Sequence, residues 1–246
     1  MQAPLAHFDE TGLACEGTTH WLHTASTSLY TYLFVHAKRG LNALLSEDSL
    51  LKDFGNFSMH DCWASYFCFP NTTHCLCNAH LLRELQALVE MGAQWAAPMQ
   101  ALLLELYQRS QQGKATVAEL ALYQRQYQAI CARADVEEPS PAKSARGRPT
   151  RTKGRNLLQR LVEHQEAVLA FAKYEWVPFT NNQAERDIRP VKGKIKTAGC
   201  FRTQTGAKHF ARIQGFISTA RKHGKTVFNE LKDSYAGFNF MIASTD

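Results

Sequence analysis

Apolar, β-branched and aromatic residues cluster in HWLHTA (20–25) and LYTYLFVHA (29–37), with Ser/Thr turn material between them, and predict two strands. An apolar run ending near Asp9 predicts a strand ahead of them, with DETG (9–12) as turn material. RGLNALLSED (39–48) has helical spacing, while FSMHD (57–61) and THCLC (73–77) are apolar runs of strand length on either side of a short WASYF segment. From Asn78 to about Gln112 the residues Leu81, Leu82, Leu85, Leu88 and Val89 recur at helical spacing, and a second helical stretch covers Thr116 to Ala134. EEPSPAKSARGRPTRTKGR (137–155), with three prolines and six basic residues, predicts a linker or exposed loop. Helix resumes over 156–175 and ends before Pro178; from Asn182 the pattern predicts helices broken at Gly199 and Gly224. The chain-order prediction is βββαβ(α)β, a long helical insertion, then α. That is an α/β chain with residues 1–77 as the first part of a core. Residues 78–180 form an insertion carrying the basic linker 139–155, and 181–246 are helices completing the core.

Composition narrows the class. The 246 residues are 45% hydrophobic and 20% charged, ordinary for a globular protein. No apolar run approaches the ~20 residues that span a bilayer, and the start, MQAPLAHFDETG, lacks the basic and apolar regions of a signal peptide. Seven cysteines, odd in number and irregularly spaced, read as reduced thiols of a cytoplasmic protein. Charge changes the picture more. Residues 143–155 carry six Lys/Arg and no acid, and residues 181–232 carry twelve Lys/Arg against three Asp/Glu. The remainder is acidic. A chain polarised this way presents a basic surface, for which phosphate backbones are the commonest partner.

Three acids stand out against that background. Asp9 and Asp61 each follow an apolar strand-like run, and Glu185 sits in NNQAERDIRP (181–190) three residues after Asn182, the spacing of a capping box. Converging carboxylates repel unless a cation neutralises them, so a cluster of the three implies a metal. Two Mg²⁺ ions about 4 Å apart suit in-line phosphodiester chemistry. The blander alternatives are a turn at DETG, a cap at Asp61 and a helix start at Asn182.

DETG, HDCWASY, CNAHLLREL, NNQAERDIRP, CFRTQTGA and ISTARKHGKTVF, in that order, resemble the transposases of the insertion-sequence 66 family from about Phe8 to Leu231. That family belongs to the DDE transposases, whose catalytic domain is RNase H-like, with a mixed five-stranded sheet and flanking helices. The resemblance implies Asp9, Asp61 and Glu185 as catalytic and metal-holding residues, with Mg²⁺ or Mn²⁺, two ions, as cofactor. It places a helical insertion between the fifth strand and the Glu-bearing helix. The implied chemistry is cleavage at the ends of a mobile element, then transfer of the 3′-hydroxyl into target DNA. Arg186 and Arg189, with Lys192, Lys194, Lys196 and Arg202, are DNA-contact candidates. A homo-oligomer on DNA, accessory proteins of the element and a nucleoid-associated cytoplasmic location follow as expectations, with no membrane partner.

Two further motifs call for a reading. His74, Cys75, Cys77 and His80 lie within seven residues, which suggests zinc, but Cys75 and Cys77 alternate on a strand, unlike paired zinc knuckles. Cys77–His80 resembles the Cys-x-x-His pair that several DDE groups carry after the second Asp, so a structural role near the site, with Asn182, is expected. Arg146-Gly147-Arg148-Pro149 resembles an AT-hook core, in which arginines enter a narrow minor groove. Full-length family members carry a substantial region before the first Asp, whereas this chain reaches Asp9 almost at once. The expectation is a catalytic domain without its DNA-recognition half. The rival expectations are a non-catalytic DNA-binding remnant of a decayed element and an RNase H-like nuclease or junction resolvase.

Overall fold

The computed structural model describes residues 3–113, 115–141 and 151–238. β1 (Leu5–Cys15), β2 (Thr18–Ser26), β3 (Thr31–His36), β4 (Phe57–His60) and β5 (Thr73–Leu76) form one sheet in the order β3-β2-β1-β4-β5. The β1–β2 and β2–β3 pairs are antiparallel and the other two are parallel. This mixed α/β arrangement is consistent with the RNase H-like fold that the resemblance implies.

DETG is not a turn. β1 runs on past Asp9 to Cys15, because Thr11 and Gly12 find ladder partners in Leu22 and Trp21. The turn falls instead at Glu16 and Gly17, whose φ values of 51° and 72° are the left-handed pair that a two-residue hairpin requires.

α1 (Leu41–Leu44) is shorter than RGLNALLSED predicts; the Ser46 hydroxyl bonds back to the Ala43 carbonyl just beyond its end. Among the described residues every regular element between β5 and the C-terminal helices is helical. These are α2 (Asn78–Glu90), α3 (Ala96–Ser110), α4 (Val117–Glu137), α5 (Lys153–Glu163), α6 (Gln165–Val168) and α7 (Ala170–Lys173). The single helix expected over 78–112 is two, separated at Gly92 with φ 89°. α8 (Asn182–Ala198), α9 (Gln204–Lys222) and α10 (Val227–Tyr235) follow, broken at Gly199 and Gly224 as the pattern predicts.

The chain divides into two compact units. The first takes the described parts of Met1–Ser58, Trp63–Thr72 and Asn182–Asp246. Alternation along β1 splits its core between two sheet faces. Leu13 and Cys15 join Leu22, Leu33, Val35, Ile188, Val191, Ala207 and Ala211 on the face that α8 and α9 cover. Ala6 and Phe8 join Ala25, Leu44, Leu51, Phe54, Tyr66 and Phe69 on the other. α9 approaches β3 so closely that a Cβ at Gly215 would lie 3.0 Å from the Thr31 carbonyl oxygen. Phe201, between α8 and α9, bridges to Cys15 in parallel.

The second unit comprises Met59–Cys62 and the described parts of Thr73–Asn181. α2 buries Leu81, Leu85 and Leu88, and α5 buries Leu157, Leu158 and Leu161. The Tyr127 hydroxyl of α4 donates to the Leu161 carbonyl at 2.8 Å, and Thr116 with Glu119 forms a full capping box at the start of α4. No helix among the described residues is long and apolar enough to cross a membrane.

Candidate active site

Asp9 stands in the middle of β1, half-buried, with Oδ1 accepting the Glu10 backbone N–H at 2.9 Å. Strand alternation puts it on the face of Leu13 and Cys15, the face covered by α8. Its cross-strand partner is Thr24, whose hydroxyl lies 3.2 Å from that of Ser26.

Glu185 is carried in the first turn of α8. The buried residues Ala184, Asp187, Ile188 and Val191 form the stripe that faces the sheet, at the spacing of one helical face. Glu185 adjoins that stripe and stays half-buried. Asn182 was expected to cap the helix from outside; it is instead the first helical residue, which leaves the preceding position to Asn181. Asn181 is buried in the second unit, where its N–H donates to Cys77 Sγ at 3.1 Å.

Asp187, which sequence reasoning passed over, fixes α8. Its Oδ2 accepts from Ser26 Oγ at 2.7 Å, Thr31 Oγ1 at 2.9 Å, Gln183 Nε2 at 3.0 Å and Lys222 Nζ at 2.6 Å. Its Oδ1 accepts from Ser218 at 3.2 Å. The network ties the helix to the end of β2, the start of β3 and the end of α9. Burial works to raise the Asp187 carboxyl, but hydrogen bonds from Lys222, Ser26 and Gln183, with the Lys222 charge, outweigh it and hold the group below its ordinary value. The signal in the sequence is a second acid two residues past Glu185, with its lysine 35 positions away. Through Ser26 and Thr24 the same network reaches the cross-strand neighbour of Asp9.

Glu10 points to the opposite face. Its Oε1 accepts from Arg39 Nε at 2.9 Å and from a second Arg39 nitrogen at 2.6 Å, and its Oε2 accepts from Tyr66 at 2.5 Å. The Arg39 guanidinium lies 4.9 Å from the Trp21 ring centre and 4.4 Å from that of Trp63.

Asp61 belongs to the second unit, directly after β4, and is half-buried. Its backbone carbonyl lies 2.5 Å from His60 Nδ1, and His60 Nε2 lies 2.8 Å from His74 Nδ1. Burial pushes His60 down to about 3, so it is a neutral structural imidazole at physiological pH. Cys77 occupies the cap position of α2 and His80 its first turn; each offers a ligand atom within 4.8 Å of the other. His74, by contrast, is engaged with His60, and the Cys75 thiol, pushed up to about 12 by burial, donates to the Thr73 carbonyl. Thus the four Cys/His positions do not gather around a single ion.

Of the basic candidates, Arg186, Arg189, Lys192, Lys194 and Lys196 are exposed along α8, and Arg202 is exposed in the link to α9. Arg146 and Arg148 lie outside the described residues. Asp9, Asp61 and Glu185 are each partly open to solvent and supply hard oxygen donors, the type that Mg²⁺ or Mn²⁺ takes.

A mixed five-stranded sheet with Asp9 on its central strand, on the face covered by the helix that carries Glu185, is an α/β arrangement consistent with an RNase H-like fold. The family model described as "Transposase IS66 family" matches residues 1–209, and the chain belongs to that family of transposases. No curated protein and no solved structure matches the chain.

Proposed function

We propose that this chain is the catalytic domain of a DNA transposase, acting by metal-dependent cleavage at element ends and transfer of the 3′-hydroxyl into target DNA. The reading is supported by membership of this family and by the position of Asp9 on the sheet face that α8, the helix carrying Glu185, covers. Asp9, Asp61 and Glu185 would together hold two Mg²⁺ or Mn²⁺ ions. Such ions, when bound, polarise the scissile phosphodiester and activate the attacking oxygen. The protein's own share is positional. Asp187 holds the start of α8 against β2 and β3, and the ladder with β2 holds Asp9 in extended backbone. Arg186, Arg189, Lys192, Lys194, Lys196 and Arg202 would bind DNA phosphates, joined by Arg146 and Arg148. Water displaces the 3′-oxygen at an element end, and the freed hydroxyl then displaces an oxygen of the target strand, so one bond breaks for each that forms. No covalent protein–DNA bond is required. In this reading residues 1–77 and 181–246 form the catalytic core, residues 78–180 are an insertion, and the protein works as an oligomer on nucleoid DNA.

The test is an end-joining assay on DNA carrying the ends of the chain's own element, with and without Mg²⁺. The expected result is metal-dependent joining that Asp61→Asn, Asp9→Asn or Glu185→Gln each lowers by ~10³-fold or more while DNA binding persists. Binding without joining in the unmodified chain would favour the non-catalytic remnant. Cleavage without strand transfer would favour the nuclease.

A further inference from the structure

In the first unit, α8 and α9 leave between them an open cleft of ≈ 350 Å³ whose lining includes Arg186, Asp187, Pro190, Ile217, Arg221 and Lys222. Its one acid is already spent: Asp187 is neutralised by Lys222 and saturated by hydroxyl and amide donors. Lys222 is equally committed, since its ammonium also donates to the Thr27 and Tyr30 carbonyls at 2.8 and 3.0 Å. Arg186 and Arg221 are different. Both are exposed, they stand on different helices, and neither side chain has an ion-pair or hydrogen-bond partner among the described residues. The Arg186 charge is felt at the Lys222 ammonium, so like charges converge here, and Asp187 is the one acid among the residues that line the cleft. The lining also holds polar Gln214 and apolar Pro190 and Ile217, a mixed surface compatible with the phosphates and sugars of a backbone.

We propose that this cleft is a subsite for a nucleic-acid backbone, with Arg186 and Arg221 each engaging one phosphate of the same strand. The proposal rests on DNA as the substrate class and adds α9 to the DNA surface, where charge counting along α8 alone would not look. Guanidinium forks suit phosphate oxygens, and an open cleft admits a continuous strand.

The experiment measures binding of the full chain to a fluorescent duplex across a salt series, comparing the unmodified protein with Arg186→Ala/Arg221→Ala. A matched control, Lys208→Ala/Arg212→Ala, removes two charges elsewhere on α9. Losing two phosphate contacts lowers the slope of log affinity against log salt by about 1.8, and a smaller change in the control supports the subsite. An unchanged slope, or an equal fall in both variants, overturns it. Inorganic phosphate raising the melting temperature of the unmodified chain but not of the cleft variant, with the DNA slope unchanged, would make this a small-anion site and overturn it as well. Failure of the unmodified chain to bind any DNA would overturn the DNA reading and the subsite together. Binding with the expected slope change but no end joining would leave the subsite standing and remove only the catalytic reading.

Discussion

Two buried carboxylates of the first unit, Glu10 and Asp187, lie on opposite faces of the sheet and solve the same problem differently. The Glu10 side chain is 2% exposed and its cation, Arg39, which lies over the rings of two tryptophans, is 41% exposed; one tyrosine hydroxyl adds a hydrogen bond. Asp187 is 6% exposed and its cation, Lys222, is 11% exposed, with three hydroxyls and an amide completing the shell. One is an ion pair with a wet side, the other a closed network. Each sits one or two positions from a proposed catalytic acid: Glu10 beside Asp9, Asp187 two past Glu185. The lesson is a division of labour within short motifs. The neighbour is saturated and immobilises the element, while the proposed catalytic acid stays only half-buried.

If that contrast is right, breaking the closed network costs most. Lys222→Met leaves the Asp187 charge buried without its cation and should destabilise the chain by ~3–5 kcal/mol in urea titration. Arg39→Ala should cost less, about 2 kcal/mol, because water reaches the vacated site and Tyr66 still donates. Tyr66→Phe removes a single hydrogen bond to the carboxylate and should cost about 1.5 kcal/mol. A larger loss for Arg39→Ala than for Lys222→Met would reverse the comparison.

The smallest effect at neutral pH is the one that acid reveals. His23, the cross-strand partner of Glu10, is pushed down to about 4, chiefly by burial. Its folded value lies below the unfolded ~6.5, so its contribution is whole above that pH and is lost as pH falls toward 4. Asp187, also held below its unfolded value, contributes fully above the unfolded ~3.9 and loses that contribution as the pH falls from there through the lower folded value. Stability measured against pH should therefore decline in two stages. His23→Leu should shrink the upper stage, to which the depressed His60 also contributes, and Asp187→Asn the lower; a profile that neither variant alters would refute the assignment.

Much of the fold was legible because short-range patterns carry it. The β-branched and aromatic content of HWLHTA and LYTYLFVHA marks β2 and β3, and Gly199 and Gly224 mark the helix breaks. Asp9 was placed at a strand end because DETG has turn composition, and composition does not register that Thr11 and Gly12 have ladder partners in β2. The Asn182 cap failed by one residue, since local spacing alone does not locate a helix boundary that closely. The Asp187–Lys222 and Glu10–Tyr66 pairings join residues 35 and 56 positions apart. No motif spacing reveals such pairings, because only the closed fold makes them neighbours. The arginine-rich motif at 146–149 lies outside the described residues.

The order in which the first unit's parts leave the ribosome has its own consequence. β1 to β3 are complete at residue 36, whereas α8, which with α9 covers their apolar face, begins 146 positions later, at residue 182. At a synthesis rate of ~5–20 residues per second, that face waits roughly 7–30 seconds for its cover. During that interval Leu13, Leu22, Leu33 and Val35 are a sticky surface on a nascent chain. The helices between β5 and α8 thus act as a delay line, and the unit that carries Asp9 matures only after they have been synthesised.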